Sequence, residues 1–288
     1  GMREGSAASG GGVAAPLEPG MGRAPKREFI AFIVGPSLGQ PTDAIRTHQP
    51  HPDIDSILST LTGCCHWVED TELRGTEMRT IALYTTETMA DWEYAYLTTQ
   101  IAGAEQLKPG RFRLLLVGDG LEGVRTLGNL PLAPEADLDA LSALAADGSL
   151  AALVIPGGDH YAAGHERLIE TVGHLVDKEI PVAAICGATL LLARGGFLDE
   201  RRHTSNAAFY LEASGYRGGV HYVEAPVVTD RGVTTASGIH AIPFTAEVMR
   251  ITGLVPTSMA DSWERLFLGG DEKDYAALME ATGAWQNA

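Results

Sequence analysis

An α/β sandwich with a mostly parallel central sheet is the fold this sequence predicts. Two observations predict it. From Arg79 onward, short apolar runs of strand length alternate with longer segments of helical apolar spacing, the pattern of repeated strand–helix–strand units. Several of those runs also end in glycine-rich turns, where a parallel strand hands over to the next helix.

Taken in order, residues 80–84 read as a buried strand, 91–106 as a helix and 112–117 as the next strand, a βαβ opening. A strand near 123–127 and a helix over 134–146 follow, the helix carrying Leu138, Leu141 and Leu144 on one face. Residues 151–155 form a strand, and 165–178 a helix striped by Leu168, Ile169, Val172, Leu175 and Val176. Residues 182–185 are a strand leading through Cys186 into a short buried helix with Leu190, Leu191 and Leu192. Gly195-Gly196 stops that helix where a left-handed residue is needed. Residues 220–228 and 233–236 read as a hairpin turning at Asp230-Arg231-Gly232, and 242–252 as the helix that closes the domain.

Three segments result. Residues 1–77 are an N-terminal extension, partly low in complexity; its first 28 or so residues are too rich in Gly, Ala and Pro to bury much apolar surface. Within it, 29–34 is an apolar run and 54–61 a candidate helix. Residues 78–254 hold the α/β domain, and Met78 marks where a functional domain would begin. Residues 255–288 predict two further helices split by Gly269-Gly270, with Trp263, Leu266, Phe267, Tyr275, Leu278 and Met279 as anchors that cap the site or a subunit interface.

Composition narrows the function. The 288 residues carry 21 Lys plus Arg against 37 Asp plus Glu, a formal net charge of −16, which repels phosphate backbones and anionic membrane surfaces. No apolar stretch approaches the ~20 residues that span a bilayer, and no basic-then-apolar leader is present, so a cytoplasmic protein that binds neither nucleic acid nor membrane is expected. Three cysteines suit a reducing compartment. Cys64-Cys65-His66 lacks a second ligand pair, and His160 and His165 lack the glutamate of a zincin motif, so neither a metal nor another cofactor is expected.

The chemistry centres on the run Ile180-Pro-Val-Ala-Ala-Ile-Cys-Gly-Ala-Thr-Leu-Leu-Leu-Ala-Arg194: a buried strand, a cysteine, then a glycine opening a helix. Such a nucleophile elbow lifts the Cys186 sulfur above the sheet, where helix N–H groups and the helix dipole are expected to stabilise a thiolate. Gly187 removes a Cβ that would crowd the turn. One crossover earlier, Ala152-Leu-Val-Ile-Pro-Gly-Gly-Asp159 ends a strand in two glycines. The N–H groups of Gly158 and Gly187 are therefore candidates for an oxyanion hole, with Asp159 at the pocket mouth.

These two motifs, with Met89-Ala-Asp-Trp-Glu93, Arg202-His-Thr-Ser-Asn206 and Thr234-Thr-Ala-Ser-Gly238 in the same order, resemble the ThiJ/PfpI family, relatives of the class I glutamine amidotransferases. The resemblance covers residues 79–254 and implies a flavodoxin-like three-layer sandwich, usually homodimeric. It also implies that Glu93 is the acidic residue touching the nucleophilic sulfur. A carboxylate beside a thiolate opposes its ionisation, so Glu93 is expected to be protonated, its pKa raised by burial. Trp92 would wall the pocket. The sequence departs from its relatives where the protease-like branch has a histidine after the cysteine, here Gly187, and where another branch has a histidine near the sulfur, here Asn206. His240, in the loop that passes the cysteine in relatives, is a candidate replacement base.

Together these features predict a cysteine-nucleophile enzyme acting on a small-molecule carbonyl, amide or related electrophile, as a hydrolase, hydratase or glyoxalase-like lyase. The alternative is a non-enzymatic oxidative-stress sensor or chaperone that uses the same cysteine.

Overall fold

The computed structural model describes residues 78–288; Cys64-Cys65-His66 and the elements expected within 1–77 lie outside them. Among the described residues seven strands form the central sheet, in the order β5-β2-β1-β6-β7-β9-β8. They are β1 (Arg79–Tyr84), β2 (Phe112–Gly118), β5 (Ala136–Asp137), β6 (Leu150–Ile155), β7 (Val182–Ile185), β8 (Val227–Asp230) and β9 (Val233–Ala236). All pairings are parallel except β8 with β9. The chain runs outward from β1 through β2 to β5, then returns to β6 on the other side of β1, so the strand order reverses between β1 and β6. Crevices beyond the C-terminal strand ends at such a reversal are where open α/β sheets bind ligands.

Helices cover both faces, giving the flavodoxin-like three-layer arrangement. One face carries α1 (Asp91–Leu107) and α6 (Ala241–Thr252); the other carries α2 (Asp139–Ala146), α3 (Glu166–Asp177), α4 (Ala188–Arg194) and α5 (Ala208–Glu212). The pleat explains why the strands read as continuous apolar runs: alternate side chains are buried on opposite faces. Ala82, Tyr84, Leu153, Ile155, Val182 and Ala184 share the cluster with Leu141, Leu168 and Leu191. Their neighbours Ile81, Leu83, Val154 and Ala183 are equally buried but stand outside that cluster.

Three expectations are corrected. The strand near 123–127 is only β3 (Val124–Arg125), which pairs with β4 (Pro131–Leu132) in a separate two-stranded ribbon. A turn closes it, with the Asn129 N–H on Thr126 O at 2.9 Å and Asn129 at φ 64°. The helix expected over 134–146 begins only at Asp139, because Ala136 and Asp137 extend the sheet against Val117 and Gly118. The Asp137 carboxylate accepts from the Gly120 and Asp139 N–H groups, ending the strand and starting the helix. The hairpin's first arm begins at Val227, just after Pro226, whose missing N–H cannot join a ladder. The preceding residues pair elsewhere, Tyr222 bridging His203. The turn itself has φ 46° at Arg231 and 79° at Gly232, the double positive φ of a tight two-residue hairpin.

The C-terminal helices α7 (Thr257–Phe267) and α8 (Glu272–Gln286) pack as a pair, α7 against α6. Trp263 stacks on Phe267 at 4.5 Å, and both meet Tyr96 of α1 edge-on. Trp285 lies under the Arg111 guanidinium at 5.1 Å. Met279, expected as an anchor, is 39% exposed. Among the described residues no helix is long and apolar enough to cross a membrane.

Candidate active site

Four neighbouring strand ends supply the site. β1 leads through the turn 85–90 into α1, whose first turn carries Glu93; β6 ends in Pro156-Gly157-Gly158; β7 ends at Cys186; β9 ends at Ser237-Gly238. Cys186 has φ 58°, a left-handed conformation that only a few per cent of non-glycine residues adopt. Its N–H is held by Ala236 O at 3.0 Å. The sharp turn therefore rests on the cysteine. Gly187 has φ −55° and serves close approach instead: a Cβ there would stand 2.5 Å from Gly158 O.

Glycines also crowd the sulfur. A Cβ on Gly157 would stand 3.0 Å from Cys186 Sγ and 2.7 Å from Glu93 Oε2, and one on Gly238 would stand 2.7 Å from Sγ and 2.9 Å from Glu93 Oε1. Both positions must lack a side chain so that thiol and carboxyl share one space. Glu93 is fully buried. Its Oε2 accepts the Gly157 N–H at 2.6 Å. Among the described residues Oε1 has no well-directed hydrogen-bond partner, and it lies beside the thiol.

The electrostatics are those of a coupled pair. Burial pushes the Glu93 carboxyl up to about 7, opposed by the adjoining Cys186 thiol and by the Gly157 N–H. Burial also pushes the Cys186 thiol up, to about 11, with the Glu93 charge next in effect and the Asn206 and Gly187 N–H groups pulling the other way. This differs from the expectation of a thiolate stabilised by helix N–H groups and the helix dipole. The elbow helix has only seven residues, and its end charge is outweighed by desolvation and by a carboxylate at contact. Each charge opposes the other, so the pair retains at least one proton through neutral pH.

Asn206 bridges the site. Its Oδ1 accepts the Gly238 N–H at 2.9 Å, which fixes the amide so that Nδ2 donates to Cys186 Sγ at 3.3 Å. An amide thus stands at the sulfur, at the position where the resemblance pointed to a histidine in relatives. Trp92 lies half-exposed, its indole N–H donating to Gly238 O at 3.0 Å. Asp159 is exposed, its own N–H bonded to Thr88 Oγ1 at 3.0 Å. His240 is turned to Ser237, Nδ1 to Oγ at 2.6 Å, rather than bonded to the sulfur. Gly158 lies against Gly187, and among the described residues its N–H has no protein acceptor.

Gly157 and Gly238 stood in the sequence motifs without a role of their own, and Thr88, Tyr161 and Tyr210 were not singled out from sequence. Tyr210 is partly buried, and its phenol is raised first by burial and then by the charges of Cys186, Asp159 and Glu93. Tyr161 is buried under Gly187 and donates to Pro156 O at 2.8 Å. Gly238 ends a strand in the same manner as Gly157, and that shared position was the available signal. His165 starts α3 and bonds Tyr84. No cluster of three metal-ligating side chains exists among the described residues.

Comparison with known proteins agrees with this architecture. The model of the DJ-1/PfpI family matches residues 79–251. The chain is similar to the uncharacterized protease YoaZ of Bacillus subtilis, 33% identical over 195 residues, covering 66% of this chain and 91% of that one. Among solved structures it is similar to a ThiJ/PfpI family protein from Bacillus anthracis, with 30% identity and TM-score 0.64 over 72% of this chain and 99% of that one. It is also similar to the DJ-1 superfamily protein Atu0886 from Agrobacterium tumefaciens, with 32% identity and TM-score 0.57 over 66% and 97%.

Proposed function

This chain belongs to the DJ-1/PfpI family, and from that premise we propose that it is an enzyme whose Cys186 sulfur adds to the electrophilic carbon of a small carbonyl, amide or related substrate. The observation that carries the reading is the placement of Glu93: a fully buried carboxyl, one oxygen spent on Gly157 and the other left beside the thiol. A proton passes from Sγ to Oε1 as the carbon–sulfur bond forms. The electron pair displaced from the carbonyl becomes an oxyanion facing the N–H groups of Gly158 and Gly187. Asn206 Nδ2 keeps the sulfur in line throughout. Glu93, now neutral, returns its proton to the leaving group, after which water cleaves the carbon–sulfur bond and restores the thiol, giving a hydrolase. Alternatively it protonates the adduct, which water or internal rearrangement then resolves with expulsion of the thiol, giving a hydratase or lyase.

The protease names carried by YoaZ and its Bacillus subtilis companion YdeA support a hydrolytic outcome. At Sγ an amide rather than an imidazole stands, and because an amide cannot relay a proton, Glu93 is the group left to protonate a leaving amine.

Turnover of methylglyoxal, simple amides and isocyanides, measured on wild type, Cys186→Ser and Glu93→Gln, tests the reading. It predicts at least one substrate whose conversion both substitutions abolish. A second reading is supported by the same donors: Asn206 Nδ2 and a protonated Glu93 could hold a sulfinate formed when peroxide oxidises Cys186. Peroxide-dependent gain of two oxygens at Cys186, with no turnover of any of these substrates, would favour that sensor.

A further inference from the structure

The loop between β6 and Tyr161 is tied on both sides of Gly158. The Gly157 N–H is held by Glu93 Oε2 at 2.6 Å and its carbonyl by the Ala90 N–H at 3.0 Å. Two residues on, the Asp159 N–H is held by Thr88 Oγ1 at 3.0 Å. Gly158 itself rests on the carbonyl oxygens of Glu87 and Thr88, which would stand 3.4 and 3.5 Å from a Cβ built on it. Thr88 therefore contacts the loop twice, through its hydroxyl and through its backbone.

Thr88 does so from an unusual conformation. Its φ is 58°, and a β-branched residue in the left-handed region is a genuine outlier that persists only where its surroundings fix it. They do here: the Thr88 N–H donates to Arg125 O at 2.8 Å, and the Arg125 N–H donates back to Glu87 Oε2 at 3.2 Å. A glycine or asparagine would accept this φ at less strain. What glycine lacks is the hydroxyl.

We propose that Thr88 is a positioning residue: its hydroxyl, held in place by a strained turn, sets the direction of the Gly158 N–H toward the oxyanion. The proposal rests on the oxyanion role given to Gly158 above. It requires that loss of the hydroxyl damage reactions that build charge on an oxygen and spare those that do not.

Two probes separate these cases without knowledge of the natural substrate. With p-nitrophenyl acetate, a carbon–sulfur bond forms through an oxyanion, p-nitrophenolate leaves and the thiol proton goes to the site. With iodoacetamide, the sulfur displaces iodide at a saturated carbon and no oxyanion arises. Rates at Cys186 are read by peptide-resolved mass spectrometry on the full chain, with Cys186→Ser as the blank. Thr88→Ala and Thr88→Gly should slow acylation about tenfold or more, in line with a weakened oxyanion donor, while alkylation changes less than about twofold. Thr88→Ser should restore the wild-type ratio. A ratio of acylation to alkylation unchanged in all three variants would overturn the proposal. A wild-type Cys186 that alkylates but acylates no faster than a small free thiol would remove the oxyanion reading itself, and the proposal with it.

Discussion

Glu93 Oε1 and Cys186 Sγ press on the same point in space: the absent Cβ of Gly238, which would stand 2.9 Å from the oxygen and 2.7 Å from the sulfur. Two groups that lose protons on ionisation, enclosed together with no room for a side chain between them, cannot both be charged at modest cost.

Stability should record this. Burial raises Glu93 from 4.5 to about 7, so between those values the folded chain keeps a proton that the unfolded chain has lost. Stability from this group is full below the unfolded pKa and falls as pH rises through the folded one. The loss is on the order of 3 kcal/mol at 1.36 kcal/mol per unit. Glu93→Gln should flatten this fall. Urea unfolding at pH 5 and pH 8 checks it, and an identical pH dependence in wild type and variant would contradict it.

Asn206 is expected to matter through its donor. Asn206→Ala removes the N–H from Sγ and strands the Gly238 N–H, so the thiol pKa should rise further and alkylation at pH 8 should slow several-fold. Asn206→Asp should slow it more, because a second carboxylate then faces the sulfur. Iodoacetamide kinetics at fixed pH decide the order of the three proteins.

The glycines are expected to differ in kind. Gly187→Ala drives a Cβ to 2.5 Å from the backbone oxygen of Gly158, which a side-chain rotation cannot relieve. It should cost about 1–3 kcal/mol of stability, as overpacking does. Gly238→Ala meets the Cys186 and Glu93 side chains and should chiefly separate them, so turnover falls much more than stability. Thermal melts beside activity on both variants test the distinction.

Much of this was legible in the sequence because one physical pattern dominates it. Residues 182–185 are apolar on both faces, as only a central parallel strand is, and they run directly into Cys186-Gly187; the elbow is local and could be read. Pro156-Gly157-Gly158 was legible as a close-approach loop for the same reason. The division of labour within it was not, since only the fold shows that Gly157 gives its N–H to Glu93 while, among the described residues, the Gly158 N–H has no protein acceptor. The thiol's raised pKa was missed because local reasoning counted the helix dipole at full strength. Burial and a carboxylate contributed from a different strand end outweigh it. Thr88 escaped notice because a positive φ at threonine has no sequence signal at all. The boundary error at Ala136 arose where a partner distant in sequence, Val117, decided the conformation, and that at Val227 because Pro226 cannot join the ladder.

The most direct test is the pH dependence of Cys186 alkylation in wild type and Glu93→Gln, read at that residue by mass spectrometry. The account predicts a wild-type thiol titrating above the ordinary cysteine range, and a variant thiol titrating at least about one unit lower because the neighbouring charge is gone, with turnover lost despite the more available sulfur. A variant profile superimposed on wild type, or shifted upward, would mean that the carboxyl and the sulfur do not share a proton.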